Sequence, residues 1–187
     1  MKAAVRNAWR KRKGRMPHSP FTPDRYFSRI TSIDIKRDLL DCGLRFAFLD
    51  IDNTLRSRAD GRVPQDVCDW IARAEAAGVK LCLLSNNFHQ NALDFADAIG
   101  LPIVAKAMKP LPPGYISALR KMGAHRHEAV VIGDQISTDI VGARALHIKA
   151  YLVVPLATRD LAHMRVIRHV ESALLGGRVP EGGVAYD

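Results

Sequence analysis

Hydrophobic and polar positions along this chain switch repeatedly between short apolar runs and a helical rhythm. Apolar runs occupy residues 45–50 (RFAFLD), 79–84 (VKLCLL), 102–105, 129–132 and 149–154, lengths that suit buried strands. Between them the apolar positions follow helical spacing. Residues 64–77 place Val67, Ile71 and Ala74 on one face, with Pro64 in the first turn and Gly78 as terminator. Residues 89–99 and 112–122 predict further helices stopped by Gly100 and Gly123, and residues 138–146 another. Residues 24–42 read as one or two short helices closed by Gly43. Residues 158–175 read as an amphipathic helix with Leu161, Met164 and Ile167 on its apolar side.

Strands that alternate with helices at this spacing predict an α/β fold with a mostly parallel, five-stranded sheet, doubly wound in the Rossmann-like manner with helices on both faces. Ligands of such sheets bind beyond the carboxyl ends of the strands. The distinctive polar residues fall there: Asp50 and Asp52, Ser85 and Asn86, and Asp134 each follow an apolar run. Groups distant in sequence are therefore expected to converge on one rim. The expected organisation is a basic arm over residues 1–20, one domain over 21–175 and a loose tail over 176–187.

Charge changes this picture at one end. The net charge is +9, and residues 1–20 carry seven basic side chains (Lys2, Arg6, Arg10, Lys11, Arg12, Lys13, Arg15) with no acidic one. The arm reads either as a solvated disordered leader or as a contact for an anionic surface, a lipid headgroup layer or nucleic acid. No apolar stretch follows it, which excludes a secretory signal, and no run approaches the ~20 apolar residues that span a bilayer. Cys42, Cys68 and Cys82 are odd in number and widely spaced, and read as buried thiols in a reducing compartment. The expected location is the cytoplasm, with the inner face of the membrane as a peripheral site. His125 and His127 flank Arg126 with no further ligand nearby in sequence, and read as solvated side chains.

Four groups carry candidate chemistry. Asp50 and Asp52 in Asp-Ile-Asp-Asn-Thr sit one residue apart at a strand end, so both carboxylates can face one small volume. Held that close they repel unless a cation neutralises them, and with Mg²⁺ one can act as nucleophile while the other handles the leaving-group proton. An acidic turn without a ligand is the alternative, whereas an EF-hand is excluded because Leu55 stands where its glycine would be and Gly61 where its glutamate would be. Ser85-Asn86-Asn87 suits a phosphate or a plain helix cap. Lys109, with Lys106 as competitor, could neutralise phosphoryl charge. In Gly133-Asp134-Gln135-Ile136-Ser137-Thr138-Asp139, Asp134 can bind a hard cation and Asp139 can orient Lys109 or a metal-bound water, or the segment is a capped loop.

Taken together, DIDNT, LSNN, KP and GDQISTD resemble the four motifs of the haloacid dehalogenase (HAD) superfamily in order and spacing. The variant is similar to subfamily IIIA phosphatases, and closer still to the bacterial family related to mitochondrial phosphatidylglycerophosphate phosphatase. The resemblance runs from about Phe21 to Pro155 and takes in Pro-Asp-x-Tyr at 23–26 and Ser-Ile-Asp-Ile at 32–35. It implies that Asp50 attacks phosphorus and becomes an aspartyl-phosphate, and that Asp52 protonates the leaving alcohol and then activates water. It implies Mg²⁺ held by the Asp50 carboxylate, the Asp52 main-chain carbonyl and Asp134. It further implies that Ser85 and Lys109 grip the phosphoryl oxygens, with Asn86, Asp139 and Thr54 in support.

Many such enzymes carry a cap domain after the first or second motif. Only residues 55–84 separate Thr54 from Ser85 here, and a helix and a strand consume most of them, so no cap is expected. An open site suits a phosphate on a membrane lipid or a macromolecule. The expectation is dephosphorylation of phosphatidylglycerophosphate to phosphatidylglycerol. The alternatives are an uncapped phosphatase for soluble or protein-bound phosphate, and a nucleic-acid- or ribosome-associated binding module of the same fold.

Overall fold

A parallel strand covered on both faces must present apolar side chains to both, and the central strands of this protein do so residue by residue. In β2 (Phe46–Leu49), Ala47 and Leu49 join one core while Phe48 joins the other. In β3 (Lys80–Leu84), Leu81 and Leu83 face the first core and Cys82 and Leu84 the second. β5 (Ala129–Gly133) and β6 (Lys149–Val153) divide their side chains in the same way. This explains why the strands read as unbroken apolar runs. The structure, a computed structural model, describes residues 19–87, 90–156, 175 and 177–182.

The sheet has six strands in the order β1-β6-β5-β2-β3-β4, with β1 at Arg25–Phe27 and β4 at Ile103–Val104. Every strand pair is parallel. Helices α1 (Gln65–Ala76) and α2 (Gln90–Ile99) supply Val67, Trp70, Ala92 and Phe95 to the first core. Helices α3 (Pro112–Met122) and α4 (Val141–Ala145) supply Tyr115, Ala118 and Ala143 to the second. Gly123 ends α3 in the left-handed conformation, at φ 63°, where a side chain would be strained.

Two expectations are corrected. The sheet has a sixth strand, β1, drawn from the segment 24–42 that was expected to be wholly helical. β1 is three residues long and lies at the sheet edge, too short to show a period of its own; β6 supplies its pairing from far downstream, Arg25 with Tyr151 and Phe27 with Val153. The rest of that segment folds as short turns at Ile30–Ser32, Ile35–Leu39 and Leu40–Cys42 before Gly43. The helix expected over 138–146 starts earlier, as a wide turn at Ile136–Ile140 that runs into α4.

A buried polar knot fixes the N-terminal segment to the sheet. Asp38 is fully buried and accepts hydrogen bonds from Arg25 and Arg37 and from the Asp34 N–H. Burial works against its charge, but the bonds from Arg37 and Arg25 outweigh it and hold the carboxyl below its usual range. Arg25 also pairs with Glu181, whose N–H donates to the Tyr26 carbonyl, so residues 177–182 dock beside β1. The cysteines are free; Cys82 is buried and Cys42 exposed, so the expectation of buried thiols holds for the former and not the latter.

Among the described residues, one loop and α1 lie between β2 and β3, and α2 lies between β3 and β4, with no inserted domain. No helix among them is long and apolar enough to cross a membrane. The expected helix 158–175 and most of the basic arm lie outside the described residues.

Trp70 ties α1 to the N-terminal segment: it is fully buried and its indole N–H donates to the Ile33 carbonyl at 2.9 Å. Trp70→Ala should cost about 3–5 kcal/mol in urea unfolding, because it removes a large side chain and orphans a buried acceptor. A loss under about 1 kcal/mol would show that this contact does not anchor the segment.

Candidate active site

The carboxyl ends of β2, β3 and β5 bring three of the four motifs to one rim, and the loop after β4 brings the Lys109 motif. Asp50 follows β2 directly, and its N–H donates to the Ile132 carbonyl of β5 at 2.9 Å. Ser85 follows β3 and Asp134 follows β5. Lys109 comes from the loop between β4 and α3.

Lys109 lies at the centre. Its ammonium donates to Asp50 Oδ1 at 2.6 Å and to Asp139 Oδ1 at 2.7 Å, and the side chain is only 3 % exposed. Lys106, the competing lysine, is exposed. Burial alone would favour the neutral amine, yet Asp139 and Asp50 outweigh it and raise the Lys109 pKa above its usual value. Burial pushes the Asp50 carboxyl up to about 6, against the pull of Lys109, and the neighbouring Asp139 and Asp52 push the same way.

Supporting contacts explain why the lysine stays in place. The Asn86 side chain brackets its backbone: Oδ1 accepts from the Lys109 N–H at 2.6 Å and Nδ2 donates to the Lys109 carbonyl at 3.0 Å. Asp139 is held from its other side, where Oδ2 accepts from the Gln135 N–H at 3.3 Å. Gly133 makes room for that carboxylate, since a Cβ there would lie 2.3 Å from Asp139 Cγ. The Tyr115 hydroxyl donates to the Thr138 carbonyl at 2.7 Å and so ties α3 to the same turn.

The other expected residues are placed as follows. Ser85 is buried, and its hydroxyl oxygen accepts from the Asn87 N–H at 3.1 Å. Asp134 and Thr54 are buried. Asp52 faces the opening, with Oδ1 accepting from Arg56 at 2.8 Å and Oδ2 at 3.6 Å from Arg58. Asp50, Asp52, Ser85, Asn86 and Lys109 line one cavity of about 360 Å³. Arg58, Asn87, Gln135 and Thr138 line it too; Asn87 belonged to the expected phosphate group, and the other three had no role of their own there. The signal for Gln135 and Thr138 was their place inside the fourth motif; Arg58 offered only its nearness to Asp52. His125 and His127 are exposed, their rings stacked 5.6 Å apart away from any acidic cluster among the described residues.

The donor set fits a hard divalent cation. Carboxylate oxygens of Asp50, Asp134 and Asp139 lie within 4.8 Å of one another, all hard oxygen ligands of the kind Mg²⁺ takes. Lys109 pairs with two of them, Asp50 and Asp139, and the three carboxylates stand close enough for one cation to bridge. A proton and a cation would compete for Asp50, whose pKa stands at about 6. Mg²⁺ affinity measured by calorimetry should therefore fall about tenfold from pH 7 to pH 5. An affinity unchanged over that range would contradict the involvement of Asp50.

Residues 36–147 match the family profile described as haloacid dehalogenase-like hydrolase. The chain is 29 % identical to the protein named probable phosphatase YqeG of Bacillus subtilis (strain 168), over 89 % of this chain and 96 % of that one. It is 39 % identical to the phospholysine phosphohistidine inorganic pyrophosphate phosphatase of Xenopus laevis, over 42 % of this chain and 27 % of that one. Among solved structures, NagD from E. coli K-12 shares the fold with a TM-score of 0.53 at 15 % identity, over 62 % of this chain and 90 % of that one. The profile takes in more than half of the protein, which therefore belongs to the haloacid dehalogenase-like hydrolases, as an enzyme of the phosphatase kind.

Proposed function

We propose that the protein is a Mg²⁺-dependent phosphomonoester hydrolase that works through an aspartyl-phosphate on Asp50 and dephosphorylates phosphatidylglycerophosphate to phosphatidylglycerol. The observation that carries the reaction is the Asp50 carboxylate in an open cavity, with Lys109 fixed against it at 2.6 Å. Asp50 attacks phosphorus, and the bond from phosphorus to the leaving oxygen breaks. Arg56 engages Asp52 Oδ1, and Oδ2 carries the proton that passes to the leaving alcohol. Asp52 then takes a proton from the water that attacks the acyl phosphate, releasing inorganic phosphate and restoring Asp50. Ser85 and Lys109 bind the phosphoryl oxygens, and Asn86 and Asp139 hold Lys109 in place. Asp50, Asp134 and the Asp52 carbonyl would hold Mg²⁺, which when bound neutralises phosphoryl charge and polarises phosphorus.

The lipid assignment is supported by three features. The motifs resemble the family of the mitochondrial lipid phosphatase. The site has no cap among the described residues, so a headgroup standing in a membrane can reach it. Met108 and Leu111, on either side of Lys109-Pro110, are large apolar side chains left 49 % and 56 % exposed, as residues meeting a lipid surface would be. The arm over residues 1–20 adds cationic attraction to an anionic leaflet, worth ~1 kcal/mol per basic side chain near the surface. On this reading the enzyme works in the cytoplasm, peripheral to the membrane.

The test is Mg²⁺-dependent phosphate release from phosphatidylglycerophosphate in detergent micelles beside a panel of soluble esters. Wild type should prefer the lipid, and Asp50→Asn should fold normally and lose essentially all turnover. Activity confined to soluble esters would discard the lipid and keep the mechanism. A folded, Mg²⁺-loaded protein that hydrolyses nothing yet binds RNA in a salt-dependent way would establish the binding-module alternative.

A further inference from the structure

The loop that leaves Asp52 is built to hold two arginines. Asn53 turns the chain with φ 65°, its N–H donating to the Arg56 carbonyl at 2.7 Å and its Oδ1 accepting from the Arg58 N–H at 3.2 Å. The N–H groups of Leu55 and Arg56 both donate to the Ile51 carbonyl at 3.0 Å. Beyond Arg58 the loop closes on itself, Ser57 N–H to the Arg62 carbonyl at 3.0 Å and Gly61 N–H to the Ser57 carbonyl at 2.9 Å. Both arginine backbones are thus fixed by hydrogen bonds to the same turn that presents Asp50 and Asp52.

The two side chains are used differently. Arg56 is committed: it donates to Asp52 Oδ1 at 2.8 Å, lies 5.1 Å over the Phe95 ring, and is 16 % exposed. Arg58 is 44 % exposed, lines the cavity, and stands 3.6 Å from Asp52 Oδ2, beyond hydrogen-bond distance. Its guanidinium is therefore held at the cavity mouth by backbone and charge without being locked into a hydrogen bond with Asp52.

Position decides what such a group would meet. In the reaction proposed above, Asp50 attacks from one side and Asp52 serves the leaving oxygen on the other. A cation beside Asp52 faces the leaving group and not the phosphoryl oxygens, which Lys109 and Ser85 serve. A guanidinium is a planar fork that matches a carboxylate or phosphate in two parallel hydrogen bonds. We infer that Arg58 is a specificity-determining residue that binds a second anionic group, phosphate or carboxylate, carried by the leaving group a few bonds from the scissile phosphate. This inference rests on Asp50 and Asp52 acting as attacking and proton-donating groups. The headgroup of phosphatidylglycerophosphate, whose phosphodiester lies one glycerol away, has this chemistry; so do soluble phosphate esters with a second acid group.

The test compares kcat and KM of wild type, Arg58→Ala and Arg58→Lys, with Mg²⁺, on 2-phosphoglycolate, on 2-hydroxyethyl phosphate and on micellar phosphatidylglycerophosphate. The first two differ in whether the leaving group carries a carboxylate. Wild type should prefer at least one substrate with a second anion over hydroxyethyl phosphate. For that substrate Arg58→Ala should raise KM about tenfold or more, at least tenfold beyond its effect on hydroxyethyl phosphate, with Arg58→Lys in between. Loss on the lipid alone assigns Arg58 to the headgroup phosphodiester, and loss on phosphoglycolate as well assigns it to second anions in general. Equal losses on charged and neutral leaving groups, or a wild type without preference, would overturn the inference while leaving the phosphatase reaction intact. A wild type that turns over none of the three would overturn that reaction and the inference with it.

Discussion

A single buried ammonium organises this site. Lys109 could not stay charged at 3 % exposure without close anions, and it finds two, at 2.6 and 2.7 Å. Those anions come from opposite ends of the chain's chemistry: Asp50 from the end of β2, Asp139 from the turn after β5. The ion triad therefore pins together segments that share no local sequence. Much of the surrounding architecture serves it. Asn86 brackets the lysine backbone, the absence of a side chain at Gly133 admits the Asp139 carboxylate, and Tyr115 ties α3 to the turn that carries Asp139.

The same arrangement sets the electrostatics from which the proposed chemistry follows. One ammonium faces Asp50 and Asp139, with the Asp134 carboxylate close by, and burial lifts the Asp50 pKa. An incoming phosphate brings more negative charge into that space, which Lys109 alone does not balance. A divalent cation there would lower the cost of both, the carboxylates' mutual repulsion and the phosphate's approach. The opening has a different balance. Two arginines stand beside Asp52, and one of them, Arg58, lines the cavity with it.

Most of this fold was legible because both faces of the sheet are covered. Strands such as β3 and β5 then read as unbroken apolar runs, and the glycines after the helices marked their ends. The candidate site was legible because a parallel sheet delivers its strand ends to one rim, so Asp50, Ser85 and Asp134 could be placed together without coordinates. What escaped depends on contacts with no local trace. β1 is three residues whose partner lies in β6. Asn86 read as a support for a phosphate contact, and the structure shows it clamping the main chain of a lysine 23 residues away. Arg56 and Arg58 had no role read from the sequence; the turn at Asn53, with its positive φ, is what brings them to Asp52.

The account stands on the claim that Asp50 takes up a phosphoryl group only with Lys109 in place. Beryllofluoride imitates phosphate on a carboxylate, and its ¹⁹F NMR signal reports whether the acyl-phosphate geometry can form. With Mg²⁺ present, wild type should show a bound resonance that vanishes in Asp50→Asn and is lost or strongly weakened in folded Lys109→Met. A bound resonance that persists in Asp50→Asn, or is unchanged by loss of the lysine, would contradict it.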